Sequence, residues 1–226
     1  VLIDDGTADD ANGATTLTIT VADVNDITPV YAATSTTPTV NEGATAVDSN
    51  VAITDADSGD SNTCNLGGAD AGLFTCTLSG QTAYSVAFSS APDYETPNSA
   101  GSSNEYTVTV SINDGSNDGA TITYTVTVAD TNDQTPVYQA ADADDAITVN
   151  ENVGTGSIDA GTITDTDTVG TYGCTLGGAD AADFACTISG STVNVAFASS
   201  PNYESPADAD TNNVYVVTVL IDDGTA

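Results

Sequence analysis

Short runs of alternating apolar and polar residues dominate the chain. In Tyr106-Thr-Val-Thr-Val-Ser-Ile112, in Leu17-Thr-Ile-Thr-Val21, from Ala120 to Val128 and from Val214 to Ile221, apolar side chains fall at largely every second position, with Thr or Ser between. A period of two places one set on a buried face and the other toward solvent, the pattern of a β-strand. Thr is β-branched, so even the solvent face favours extended backbone without carrying charge. Asp-Gly, Asn-Asp-Gly and Ser-Gly sequences punctuate the runs where strands would end. No segment sustains a 3.6-residue period. About seven short strands per copy of the repeat described next predict an all-β chain of Greek-key β-sandwiches arranged in tandem.

The chain repeats itself at about 109 residues. Asp23-Val-Asn-Asp-Ile-Thr-Pro-Val-Tyr31 recurs as Asp130-Thr-Asn-Asp-Gln-Thr-Pro-Val-Tyr138, and Val40-Asn-Glu-Gly43 as Val149-Asn-Glu-Asn152. Cys64-Asn-Leu-Gly-Gly-Ala-Asp70 returns as Cys174-Thr-Leu-Gly-Gly-Ala-Asp180, and Asp93-Tyr-Glu95 as Asn202-Tyr-Glu204. Val1 to Ala8 is identical to Val219 to Ala226, an offset of 218, twice the repeat. Three segments are expected. Residues 1–26 form the last strand and linker of a preceding repeat, residues 27–133 a complete repeat, and residues 134–226 a second repeat lacking its last strand. The sequence reads as a window of a longer periodic polypeptide. The rival reading is a pilus-like subunit whose first strand completes a neighbour's sheet by donor-strand exchange.

Charge narrows the functions. The 226 residues carry 33 Asp and Glu and no Lys, Arg or His, a formal charge of -33. Nothing can neutralise a phosphate, which excludes nucleic acid and anionic membrane surfaces as partners. Ser-His-Asp, Cys-His and Lys-dependent catalysis are excluded with the missing bases, so no enzyme is expected. High net charge with few aromatics resembles disorder, yet 39% of residues are hydrophobic and patterned for burial. The chain is foldable if something supplies positive charge. The four cysteines fall as Cys64/Cys76 and Cys174/Cys186, with the same spacing twice. Without Cys-x-x-Cys or His, zinc is a poor reading. One local disulfide per repeat fits better and implies an extracellular compartment. No leader, membrane-spanning run or lipidation motif is evident in the sequence.

The carboxylates gather in short motifs that border the strands. Like charges held this close repel unless a hard cation sits among them, and oxygen-only ligands select Ca²⁺. Glu42, Asp55-Ala-Asp57-Ser-Gly, Asp93-Tyr-Glu95, Asn113-Asp-Gly115 and Asp130-Thr-Asn-Asp-Gln-Thr-Pro136 follow the order of motifs in cadherin repeats. The chain resembles cadherin-like tandem repeats, with those of large bacterial surface adhesins the nearer likeness. The resemblance implies seven-stranded cadherin or immunoglobulin-like sandwiches in an elongated array. It also implies about three Ca²⁺ per interdomain junction. By position, one junction would use Glu42, Asp93, Glu95, Asp130, Asn132, Asp133, Asp165, Asp167 and Asp223. The earlier junction would use Asp23, Asn25, Asp26, Asp55, Asp57 and Asp114, with the counterparts of Glu151, Asn202 and Glu204 in a preceding repeat.

Departures from the family pattern carry meaning. Ile27 and Gln134 stand where the family's final linker Asn usually ligates through its carbonyl, a mild loss. Asn202 stands where Asp is usual and removes an anionic ligand from every second junction, which should bind Ca²⁺ more weakly. The chain has no Trp, so the Trp-anchored strand swap of adhesive cadherins is not available. Tyr94 and Tyr203 read as packing residues. Asp93 with Glu95 could in principle serve as a glycosidase pair, but the pair recurs and no aromatic sugar platform accompanies it. Thr34, Ser35, Thr36, Thr37 and Thr39 offer hydroxyls for O-glycans, or form a plain loop. The expected function is a Ca²⁺-rigidified structural segment of an extracellular, cell-surface filament or adhesin stalk. Its partners would be neighbouring repeats of the same polypeptide or fibre. The alternatives are the donor-strand pilus subunit and a module that binds glycans or a partner protein.

Overall fold

The computed structural model describes residues 16–59, 61–141 and 147–224. Two compact units emerge. The described residues of Val1–Pro38, Ala46–Ser89 and Thr107–Thr125 make one, and those of Thr39–Thr45, Ser90–Tyr106 and Val126–Ala226 the other. The first eight strands are β1 (Val30–Tyr31), β2 (Thr39–Asn41), β3 (Ala46–Thr54), β4 (Thr63–Gly67), β5 (Phe74–Ser79), β6 (Ala83–Phe88), β7 (Glu105–Asn113) and β8 (Ile122–Ala129). They form two four-stranded sheets, β1-β3-β6-β5 and β2-β8-β7-β4. Six more follow: β9 (Val137–Gln139), β10 (Ser157–Thr164), β11 (Gly173–Gly177), β12 (Phe184–Ser189), β13 (Thr192–Phe197) and β14 (Thr218–Asp222). These make the sheet β12-β13-β10-β9 and the pair β11-β14.

The period-two pattern decides which side chains are buried. Along β7, Tyr106, Val108, Val110 and Ile112 are fully enclosed, and the intervening Thr and Ser are not. Tyr124, Val126 and Val128 do the same on β8. In the second unit the core gathers Ile163, Phe184, Val193, Val195, Phe197 and Ile221. Phe184 stacks on Phe197 at 4.6 Å between ring centroids, with the Tyr215 ring edge-on to both. Each expected disulfide forms and links strands of different sheets. Cys64 on β4 joins Cys76 on β5, and Cys174 on β11 joins Cys186 on β12.

The repeated Leu-Gly-Gly-Ala-Asp motif has a local cause. Gly68 has φ +95°, and a Cβ there would lie 2.9 Å from the Thr107 carbonyl oxygen. The close approach lets the buried Asp70 carboxylate accept the Thr107 N–H at 2.6 Å. The second copy repeats it, with Gly178 at φ +97° and Asp180 accepting Val216 N–H at 2.6 Å.

Three strand expectations need correction. Leu17 to Val21 alternates as a strand should but forms none, and Leu17, Ile19 and Val21 are 67–90% exposed. Extended backbone needs a hydrogen-bonded neighbour, and among the described residues no segment pairs with it. Val214 to Ile221 is strand only over Thr218–Asp222, since β11 pairs with that stretch alone. Among its described residues the first repeat has eight strands where about seven were expected. Its opening strand is split, with β1 pairing antiparallel to β3 and β2 parallel to β8. The octet Val1 to Ala8 lies outside the described residues.

Replacing Gly68 with Ala forces a side chain into positive φ against backbone, and should cost about 2 kcal/mol of stability. Gly72→Ala, in the same turn with nothing within 4 Å of its Cβ, should stay within about 0.5 kcal/mol. Urea denaturation with the disulfides intact measures both.

Candidate metal centre

The strand ends bring the acidic motifs together. Glu42 follows β2, Asp93 and Glu95 lie between β6 and β7, and Asp130, Asn132 and Asp133 follow β8. Asp165 and Asp167 follow β10, and Asp223 follows β14. All nine belong to the second compact unit. Seven form three overlapping groups, each offering one oxygen per residue within 4.8 Å of the others: Glu42, Asp93 and Glu95; Glu95, Asp130 and Asp167; Asp165, Asp167 and Asp223. Glu95 and Asp167 each serve two groups. Asn132 is anchored beside Asp223, donating its amide to that residue's carbonyl oxygen at 3.0 Å. Asp133 is in none of the groups; it is exposed and accepts Gln134 Nε2 at 2.7 Å.

Backbone donors hold part of this charge. The buried Glu42 accepts Thr131 N–H at 2.7 Å on one oxygen and Tyr94 N–H at 2.8 Å on the other. Asp130 accepts both the N–H and the hydroxyl of Thr168. Asp167 accepts Gln134 N–H at 2.8 Å, and the Thr96 side chain, followed by the Thr96 N–H at 2.9 Å, holds the Asp93 carboxyl below the usual range by hydrogen bonding. Other oxygens of the set have no donor. Both oxygens of Glu95, Oδ1 of Asp130, Asn132 and Asp167, and Oδ2 of Asp165 are buried and unpartnered. Burial, and then the charges of Glu42, Asp167 and Asp130, push the Glu95 carboxyl up to about 7. Tyr172 stands beside this set. Burial raises its hydroxyl, and Asp165, Asp223 and Asp167 push the same way.

The first unit repeats the same clasp with its own residues. Asp23 accepts Ser58 N–H and hydroxyl, both at 2.7 Å, as Asp130 does from Thr168. Asp57 accepts Asp26 and Ile27 N–H at 2.8 and 2.7 Å, as Asp167 does from Gln134. Asn25 donates to the Asp114 carbonyl oxygen at 3.1 Å, as Asn132 does to Asp223. Asp55 Oδ2 is again buried without a donor. Elsewhere, Glu151 accepts Tyr203 N–H at 3.2 Å and Asn202 accepts Glu204 N–H at 3.0 Å. Glu151, Asn202 and Glu204 are exposed and join no metal-sized group among the described residues. Thr34, Ser35, Thr36, Thr37 and Thr39 are all exposed. Sequence reasoning overlooked Thr131, Thr168, Ser58, Tyr172 and Asn117. Only the alignment of the two repeats marks the Ser58/Thr168 position, two hydroxyl residues following Asp-x-Asp.

These overlapping carboxylate groups between strand ends, on an all-β frame of paired sheets, define a cadherin-like β-sandwich. The solved structures similar to this chain have that fold. Mouse Cadherin-23 EC22-24 is 24% identical with a TM-score of 0.56, over 87% of this chain and 66% of that one. Human CDH23 EC21-23 is 25% identical with a TM-score of 0.54, over 89% and 65%. The extracellular domain of Protocadherin GammaB4 is 22% identical with a TM-score of 0.56, over 89% and 30%. The chain spans about a third to a half of the length of the protocadherin structures it matches. No protein-family model and no curated protein matches it.

Glu95 sets a pH dependence. In metal-free protein its carboxyl titrates near 7 instead of the ordinary 4.5. A carboxyl whose folded pKa is raised favours the folded state fully below 4.5, and loses that contribution as pH rises through about 7. Melting of chelated protein should therefore fall across this window, and Glu95→Gln should flatten the fall. An unchanged slope in the variant would contradict the placement of Glu95.

Proposed function

We propose that the chain is a structural segment of a long extracellular filament or adhesin stalk, rigidified by Ca²⁺ where sequence repeats meet. One observation carries this reading: a continuous set of buried, unpartnered carboxylate and carboxamide oxygens in a chain with no Lys, Arg or His. No side chain of this protein can neutralise them, and the all-oxygen donor set suits a hard divalent cation. Glu42, Asp93, Glu95, Asp130, Asn132, Asp165, Asp167 and Asp223 would hold it. Bound there, Ca²⁺ supplies the positive charge that lets these carboxylates stay close together.

The chain's own residues do the rest. Thr168, Gln134 and Thr131 fix the linker residues 130–134 against Glu42, Asp130 and Asp167 before any cation arrives. Residues 1–26, 27–133 and 134–226 are then the end of one repeat and two successive repeats. Asp130, Asn132 and Asp133 lie on the linker, which Pro136 stiffens. Two disulfides support an oxidising, extracellular setting. The role is mechanical, not catalytic, and its partners are neighbouring repeats.

Half-saturation is expected at about 10⁻⁴–10⁻³ M Ca²⁺, with Asp167→Asn weakening it about tenfold or more. Small-angle scattering reads the length of the particle in chelator and in millimolar Ca²⁺. Lengthening and stiffening with Ca²⁺ are expected. Equal scattering in both conditions would overturn the proposal.

A further inference from the structure

One difference between the two clasps lies at the Asn of the Asp-x-Asn-Asp segment. In the second unit Asn132 Oδ1 is buried and has no donor. In the first unit its counterpart, Asn25 Oδ1, accepts the side-chain amide of Asn117 at 3.2 Å. That same Nδ2 lies 3.4 Å from the Ile27 carbonyl oxygen and 3.5 Å from Asp114 Oδ2. A carboxamide oxygen, a peptide oxygen and a carboxylate oxygen thus converge on one NH₂ group. Three acceptors facing it fix the amide orientation, because a carbonyl oxygen there would meet only other lone pairs. Asn117 is itself held in place, since its backbone N–H donates to Asp114 Oδ1 at 2.6 Å. Asp114 is 1% exposed. The sequence confines this device to one repeat, because Asp114-Gly-Ser-Asn117 corresponds to Asp223-Gly-Thr-Ala226.

We propose that Asn117 is an internal stand-in for the cation that tunes metal affinity at the first clasp. The inference rests on the calcium reading above. Its amide satisfies Asn25 and Asp114 when no metal is bound and must withdraw from them when one binds. Asn117 therefore stabilises the metal-free state of its own clasp and weakens cation binding there. The second clasp has no such donor and stays metal-dependent. Alternate joints of the array then differ in Ca²⁺ demand, in the same sense as the Asn202 exchange, which removes a ligand from that same class of joint.

The experiment is a Ca²⁺ titration of the full chain by ¹H–¹⁵N NMR. The Asp26 and Ile27 amides, bonded to Asp57, report the first clasp. The Gln134 amide, bonded to Asp167, reports the second in the same sample. Removing about one net hydrogen bond from the competing state should move the Asp26 and Ile27 midpoints to about fivefold lower Ca²⁺ in Asn117→Ala. The Gln134 midpoint should stay put. Asn117→Asp, which keeps the shape and replaces a donor with an acceptor, should move the midpoint the same way. An unchanged or higher first-clasp midpoint, with Gln134 still responding, would overturn this inference alone. No response at either clasp would overturn the calcium reading and this inference with it. Unshifted amides of Tyr106 to Ile112 show that a variant has kept its fold.

Discussion

Carboxylates crowded together in a chain without a single cationic side chain are the constraint on which the rest depends. Buried charge is tolerated only when paired, hydrogen-bonded or neutralised by metal. Pairing within the protein is impossible here, because Lys, Arg and His are absent. Hydrogen bonding is used heavily: N–H groups of Thr131, Tyr94 and Gln134 each point at a carboxylate. Peptide donors run out before the oxygens do. Glu95 shows the deficit most plainly, with two buried oxygens, no donor and a carboxyl pushed up to about 7.

The β-sandwich supplies the rigidity that such a site needs. Sites set at the ends of strands inherit their positions from the sheet registers, and here the disulfides bind one sheet to the other. The clasp between the Asp-x-Asn-Asp segment and the Asp-x-Asp loop forms separately in each compact unit, with Asp23 and Ser58 in one and Asp130 and Thr168 in the other. Its recurrence shows that the geometry of this segment is encoded locally. What varies is the oxygen of the Asn in that segment, buried without a donor at Asn132 and bonded by the Asn117 amide at Asn25.

Much of this was legible before any coordinates. Period-two alternation located β7 and most of β8 because burial of one face enforces it, and equal cysteine spacing located both disulfides. The cadherin order of the motifs singled out Glu42, Glu95, Asp130 and Asp167 as companions, which spacing alone would not have done. Alternation failed at Leu17 to Val21, since it reports a face suited to burial and not the presence of a partner strand. The Ser58 and Thr168 hydroxyls and the Asn117 amide were invisible for another reason. Their roles depend on which oxygens lie within about 3 Å in space, and no sequence period encodes that.

The central claim is that a divalent cation completes the buried oxygen set of the second unit. A density map resolving metals, obtained from protein in millimolar Ca²⁺, tests it most directly. Metal density about 2.3–2.6 Å from oxygens of Glu95, Asp130 and Asp167 is the expected result. Waters at those positions, or carboxyl oxygens drawn together in proton-sharing pairs with no metal between them, would contradict the account.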